Sequence, residues 1–445
     1  MKLKADFNHF ILIILCGSLA FNAFPQNSGQ QEGKLKLRKL AETIDENLKD
    51  IAIYVEPLDQ GLLRPKILVK KKAIEFLTQE GTIKNRIDFA HEFYTTFSAN
   101  EKYVAAIQTT KVPKDKGENG VGEFQLFTDD GALLWQESYS VGWDISGPMY
   151  RISSNGIVCK TTRSMGTISF HDQQGTKIAE HVLWPDFLRS GLQGEWSQDG
   201  RYYAVVSPHL RERIGNELRH ADKLALFDAT GFKLWEQVLQ DKSANSVFLS
   251  AQSKWVVVSY QDMLSRNYGA LIYSTFNGTP ITTITLNQFG LTHTIFTQDD
   301  EKLLIKAGSH QNPRLMLYET ISGKNIFELN RPQPILDLRL LTKHALIYVL
   351  TEESIFPQNI ERRPRTANIQ ESKKDRRPSL ERSTPRPRLT NIQLMVLSLN
   401  GTILGTTELI GIEASPNMLM VSSASTPKKL IIKADNRMIL YELNF

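Results

Sequence analysis

The sequence predicts an all-β architecture of four-stranded antiparallel units repeated around an axis, and three observations predict it. A strand–turn–strand motif turns on Gly81, Gly131, Gly175, Gly231, Gly278, Gly323 and Gly401. These glycines stand 50, 44, 56, 47, 45 and 78 residues apart, an interval that belongs to repeat architectures. A second motif precedes the hairpin in several copies: a strand, a polar turn, then an almost unbroken apolar strand.

The best-formed hairpin is Leu224-Ala-Leu-Phe-Asp-Ala-Thr-Gly-Phe-Lys-Leu-Trp-Glu236. Its residues alternate on both sides of the turn, and Gly231 supplies the positive φ that a tight hairpin needs. The second motif reads Phe97-Ser-Ala-Asn-Glu-Lys-Tyr103, Trp196-Ser-Gln-Asp-Gly-Arg-Tyr202, Phe248-Leu-Ser-Ala-Gln-Ser-Lys-Trp255 and Phe296-Thr-Gln-Asp-Asp-Glu-Lys302. Each unit thus supplies four strands, A to D. One such sheet has two apolar faces and buries them only between neighbours, at about 1.5–3 kcal/mol per Val or Leu. Radial repetition achieves this and leaves few open edges, which makes a β-propeller. The chain ends on three strands with no fourth, and begins with the hairpin around Gly81. Pairing the two gives a seven-bladed propeller over residues 66–445; eight blades is the alternative, since the early segment is nearly complete.

Asp228-Ala-Thr-Gly-Phe-Lys-Leu-Trp235 resembles the repeat of the PQQ-like (quinoprotein-type) propellers, and Trp196-Ser-Gln-Asp-Gly-Arg-Tyr-Tyr203 is similar to a WD40-like opening. The resemblance runs from about Ile67 to Phe445 and implies a fold. A tryptophan four residues past the glycine occurs only as Trp135 and Trp235; Ala179, Thr282, Phe327 or Gly405 stands there in other copies. No paired cysteines are present to cover a quinone, so no cofactor is expected. The resemblance is to the exported, non-catalytic branch that includes outer-membrane assembly scaffolds.

Residues 1–23 read as a secretory signal: Met1-Lys-Leu-Lys4 is basic, and Phe10 to Phe21 is an apolar run too short to span a bilayer. Cleavage after Ala20 or Ala23 gives a secreted or periplasmic protein. Cys16 offers a lipid anchor as the alternative, although Leu15 stands where a lipobox carries a small residue; membrane association is expected only in that case. Residues 24–65 are a linker and a short amphipathic helix, because Leu37, Leu40, Ile44, Leu48 and Ile51 recur at three and four. Cys159 would be the only cysteine of a processed chain, a packed core thiol.

Insertions fall between the second and third strands of a unit, at Thr110–Gly122, Pro208–Asp222, Gln261–Tyr268 and Thr351–Leu389. Equivalent loops open on one face, so these build one rim. The largest accounts for the 78-residue interval. Between Glu361 and Arg388 it carries ten cations and four carboxylates, a net +6 in a chain whose total is +5. With Pro364, Pro378, Pro385 and Pro387 it is expected to be disordered over 355–390. The candidate partner-binding residues are Arg362, Arg363, Arg365, Lys373, Lys374, Arg376 and Arg377, with Arg211 and Arg213 from the second insertion.

Catalytic patterns are missing. His209 and His220 lie eleven apart, unlike any metal-site spacing, and no metal is expected. Asp129-Asp130 and Asp299-Asp300 read as turn residues. The expected function is a non-catalytic, protein-binding scaffold of the cell envelope. Its partner would be a protein or another anionic macromolecule; nucleic acid is not expected, since no aromatics are interleaved for stacking. The alternative is a hydrolase or lyase acting on a polymer at the central channel, which requires three or more buried ionisable groups at the channel mouth.

Overall fold

A computed structural model describes residues 35–44, 48–54, 64–78, 81–113, 118–142, 147–162, 166–183, 193–214, 217–309, 312–330, 333–341, 346–352, 389, 391–412, 419–423, 429–434 and 437–444. The signal segment, Cys16 and the basic insertion with its seven candidate residues lie outside them.

The described strands form eight four-stranded antiparallel sheets, and there is no helix among the described residues. Sheet I holds β2 (Leu48–Tyr54), β3 (Arg64–Lys70), β4 (Ala73–Leu77) and β5 (Ile83–Asp88). Sheet II holds β6 (Phe93–Phe97), β7 (Tyr103–Lys111), β8 (Gly120–Thr128) and β9 (Leu133–Val141); sheet III holds β10 (Met149–Ile152), β11 (Val158–Thr162), β12 (Thr167–His171) and β13 (Lys177–Val182). Sheet IV holds β14 (Gln193–Trp196), β15 (Tyr202–Ile214), β16 (Glu217–Asp228) and β17 (Lys233–Gln240); sheet V holds β18 (Lys242–Leu249), β19 (Trp255–Asp262), β20 (Tyr268–Ser274) and β21 (Pro280–Asn287). Sheet VI holds β22 (Leu291–Phe296), β23 (Lys302–Ser309), β24 (Asn312–Glu319) and β25 (Asn325–Asn330); sheet VII holds β26 (Ile335–Leu341), β27 (Leu346–Glu352), β28 (Ile392–Ser398) and β29 (Ile403–Glu408). Sheet VIII joins β30 (Leu419–Ser423), β31 (Lys429–Ala434) and β32 (Arg437–Asn444) to β1 (Lys36–Ile44), its outermost strand.

Two expectations about the start of the chain are corrected. The segment read as a helix is β1 and β2, and the hairpin at Gly81 completes a sheet of its own instead of closing the C-terminal one. β1 closes that sheet, with Leu37 opposite Leu443 and Arg38 ion-paired to Glu442 at 2.6 Å. A register shift between Lys39 and Ala41 explains the misreading. The inserted residue breaks strand alternation and leaves Leu40 38% exposed, so the apolar positions fall at helix-like spacing. β2 carries two further shifts, at Leu48/Asp50 and Ala52/Ile53.

Seven apolar clusters of buried residues each lie between two consecutive sheets, from I/II through VII/VIII. The continuous apolar runs fill them: Val256, Val257 and Val258 of β19 are fully buried and face both neighbours. Cys159 lies in the III/IV cluster, where burial pushes its thiol well above the ordinary range.

Both motifs prove to be seats between sheets. Six of the seven hairpin glycines rest on the residue that stands four past the glycine of the preceding sheet: Gly131 on Asn85, Gly175 on Trp135, Gly231 on Ala179, Gly278 on Trp235, Gly323 on Thr282 and Gly401 on Phe327. A Cβ on Gly231 would lie 2.6 Å from Phe170 Cδ2 and 2.7 Å from Ala179 Cβ, at φ +79. Trp235 also donates its indole N–H to the Thr275 carbonyl of the next sheet, at 2.8 Å.

The polar turns between first and second strands form a second set of seats. Glu101, Gly156, Gly200, Ser253 and Asp300 stand three past Ser98, Ser153, Ser197, Ser250 and Thr297, and each has positive φ. These turns bond from sheet to sheet. Asn100 donates to the Ser154 carbonyl (2.8 Å), Ser154 to the Gln198 carbonyl (2.6 Å), and Ser253 to Asp199 (3.0 Å). The buried Asp300 carboxylate accepts from Ser250 Oγ at 2.6 Å and the Gln252 N–H at 3.1 Å. The chain of bonds links sheets II through VI.

Two predictions follow from these seats. Gly231→Ala meets both a disfavoured backbone and a filled space and should lose about 2–4 kcal/mol of unfolding free energy. Gly81→Ala, with nothing within 4 Å of the added Cβ, should lose only the backbone part, about 1–2 kcal/mol, when both are measured by denaturant titration. Asp300→Ala strands buried donors of Ser250 and Gln252 and should cost about 2–4 kcal/mol, whereas Asp300→Asn, which keeps an acceptor and tolerates the left-handed backbone, should recover most of that loss.

Candidate functional site

Strand direction alone sorts the loops. In four antiparallel strands, the first-to-second turns and the third-to-fourth hairpins leave at one end, and the second-to-third loops at the other. The seats described above therefore occupy one face, and the strand ends that bracket the four insertions, β7 and β8, β15 and β16, β19 and β20, β27 and β28, point to the opposite face.

Its best-described part is the β15–β16 hairpin. Beyond a register shift between Pro208 and Leu210 the two strands continue for five further pairs, Leu210–Ile214 against Glu217–Ala221. Arg211 stands opposite His220 and Arg213 opposite Leu218. His209 is the extra residue at the shift and is exposed, while His220 is buried and 3.6 Å from Asp222, so the two histidines do not converge. The neighbouring insertion is tied to the base of this hairpin: Met263 N–H donates to the Asp241 carbonyl, and Asp241 N–H to that of His220, at 2.8 and 2.9 Å. Asp262 Oδ1 accepts from the N–H groups of Leu264 and Ser265, which presents Leu264 76% exposed at the tip.

The first strand of each sheet lies innermost, where β6, β10, β14 and β18 approach one another in sequence, as do β22, β26 and β30. Between β6, β10, β14 and β18 is a cavity of about 640 Å³. Arg151 and Glu195 line it, with Gln193 between strands and Phe97, Trp196 and Phe248 as aromatic walls. Phe97, Ile152 and Trp196 end their strands, so the cavity sits toward the seat-bearing face, away from the insertions. Water reaches Glu195 along the channel, but protein surrounds it closely enough to push its carboxyl up to about 7, against the opposing pull of the Arg151 guanidinium.

A second polar group gathers on β22, β23 and β26. His293 on β22 is held below its usual range by desolvation, as is Lys306, whose ammonium donates to the Ile335 carbonyl of β26. Asp337 favours the charged form of both, and Arg339 opposes it for His293. None of Arg151, Glu195, His293, Lys306, Asp337 and Arg339 is buried. Among the described residues no three His, Cys, Asp or Glu side chains cluster as a metal site would require.

Arg151 and Glu195 were not singled out by the sequence, yet a signal existed. Both stand two residues before the turn serine, Ser153 and Ser197, as Thr96 and Phe248 do in their own units. Superposing the turn motifs marks that position as channel-facing.

No protein family and no curated protein matches this sequence. Solved structures do. The C-terminal WD40 domain of Sif2 is similar with a TM-score of 0.53 at 10% identity, covering 93% of this chain and 100% of that one. The Dos1 propeller is similar at 0.52 and 11%, covering 91% and 95%, and a eukaryotic initiation factor at 0.51 and 11%, covering 85% of each. At such identity the likeness is one of fold, and the architecture is that of a β-propeller.

Proposed function

We propose that the protein is a non-catalytic interaction scaffold of the cell envelope that binds a protein or other anionic macromolecule through its insertion-bearing face. The observation that carries this is the one-sidedness of the fold. On one face the polar turns of sheets II to VI are seats against their neighbours; on the other, the sequence lengthens four loops, and one rises as a five-pair extension of a hairpin. A rigid ring with long loops on one rim is a platform for recognition. Arg211 and Arg213 on that extension, and the cations of residues 362–377, give the rim a positive character suited to an anionic surface. Placement in the envelope rests on the basic start and apolar run of residues 1–21.

The alternative of a channel hydrolase or lyase has one observation in its favour, the near-neutral titration of Glu195. The charged group facing Glu195 is Arg151, not the second carboxylate that acid–base cleavage of a glycan would use. The ionisable groups of the inner strands are also open to water, short of the buried cluster that reading requires.

Crosslinking in cells should capture a partner whose recovery falls at least about tenfold with Arg211→Glu plus Arg213→Glu, or with deletion of Thr366–Pro387, as expected when charge pairs at a rim are lost. Both variants should melt at the wild-type temperature. Undiminished recovery of that partner sinks the rim assignment. Sequencing the mature N-terminus should return a free Phe21 or Phe24, which removes the lipid-anchor alternative at Cys16; an uncleaved Met1 removes the cleaved, secreted form.

A further inference from the structure

We propose that the cavity between the inner strands of sheets II to V binds a small zwitterion of the amino-acid type, with Glu195 holding its ammonium and Arg151 its carboxylate. This site is separate from the insertion rim, lying toward the other face, and does not depend on what the rim binds.

The argument begins with two opposite charges that share a cavity without pairing. Arg151 lies close enough to bias the ionisation of Glu195, yet the two form no ion pair. Among the described residues the guanidinium donates to the Tyr150 carbonyl on its own strand, a long bond of 3.3 Å, and the Glu195 carboxylate accepts no hydrogen bond. Side chains this near gain by closing on each other unless the backbone holds them apart, and here they stand on different sheets. Trp196 fixes the spacing: its indole N–H donates to the Arg151 carbonyl at 3.1 Å and ties β14 to β10 beside both charges.

The rest of the cavity narrows the ligand class. A plain anion would meet Glu195, and a plain cation would meet Arg151; a ligand carrying both charges satisfies both. Phe97, Trp196 and Phe248 supply apolar surface for a side chain, and about 640 Å³ suits an amino acid or a similarly small ligand. The titratable groups facing Glu195 are Arg151 from β10 and Tyr203 from β15; the walls from β6 and β18 are uncharged. Desolvation pushes the Glu195 carboxyl up to about 7 against the pull of Arg151, and the ammonium of a ligand would add to that pull. Binding of the ammonium requires ionised Glu195, so affinity rises as pH rises through neutrality.

Isothermal titration of the full chain with L-phenylalanine tests this against two capped forms, N-acetyl-L-phenylalanine and L-phenylalaninamide. L-Phenylalanine should bind with a Kd of about 1 mM or tighter, and each capped form about tenfold or more weakly, for the loss of one charge-assisted contact. Affinity for L-phenylalanine should increase from about pH 6 to pH 8, as the carboxyl ionises. Glu195→Gln should abolish that pH dependence and erase the preference over the acetylated form. Arg151→Met should erase the preference over the amide. The proposal is overturned by absence of heat at about 10 mM L-phenylalanine, by equal binding of the capped forms, or by folded variants that keep both preferences. The capped-ligand comparison uses the native chain and decides the matter even where a variant does not fold.

Discussion

Everything in this architecture depends on how closely one sheet can approach the next. A four-stranded antiparallel sheet with two apolar faces has no stable existence alone, and it becomes stable only when flanked. At the outer edge that approach is set by a glycine lying flat on the side chain presented by the sheet before it; near the axis it is set by a polar turn bonded to its neighbour's turn. Between these two contacts the apolar runs close into clusters. Gly231 has no room for a methyl group above Phe170 and Ala179, and Asp300 is buried because it satisfies the donors of the previous turn. Both residues serve the junction more than their own sheet.

Much of the fold could be read from the chain because the junction imposes itself on sequence. The turn glycines, the serine or threonine that opens each polar turn of sheets II to VI, and the largely apolar second strands recur from unit to unit. The variable position four past the glycine is also explained: it is a seat, and Trp135, Thr282 and Phe327 fill it with different volumes under different neighbours. The first strand escaped notice for a local reason. An extra residue near Lys39 disturbs alternation, and Leu37, Leu40 and Ile44 then mimic a helical stripe. Arg151 and Glu195 escaped for a global one. They are 44 positions apart and ordinary in their local context, and only the radial arrangement of inner strands brings them into one cavity.

The two faces are under different constraints. At the described seats a residue added to a turn would lift one sheet off another, so length there is fixed by packing. Loops on the far face carry no such glycine or polar-turn seat among the described residues and can lengthen at small entropic cost, about 0.6 kcal/mol per doubling. The β15–β16 hairpin shows how such a loop acquires order, by extending the ladder already present beneath it. The channel cavity belongs to neither constraint: its walls are strands, and its chemistry is set by which side chain each unit places at the inward position.

The pairing of β1 with β32 has a consequence for how the protein is made. About 400 residues separate the two strands, and at about 5–20 residues per second a ribosome needs roughly 20–80 s to go from one to the other. For that time the first strand has no edge to join, and the finished sheets expose a growing, unclosed flank. Synthesis order thus makes the emergence of β32 the event that completes sheet VIII, and a chain stalled short of Arg437 would leave open edges able to pair with other molecules.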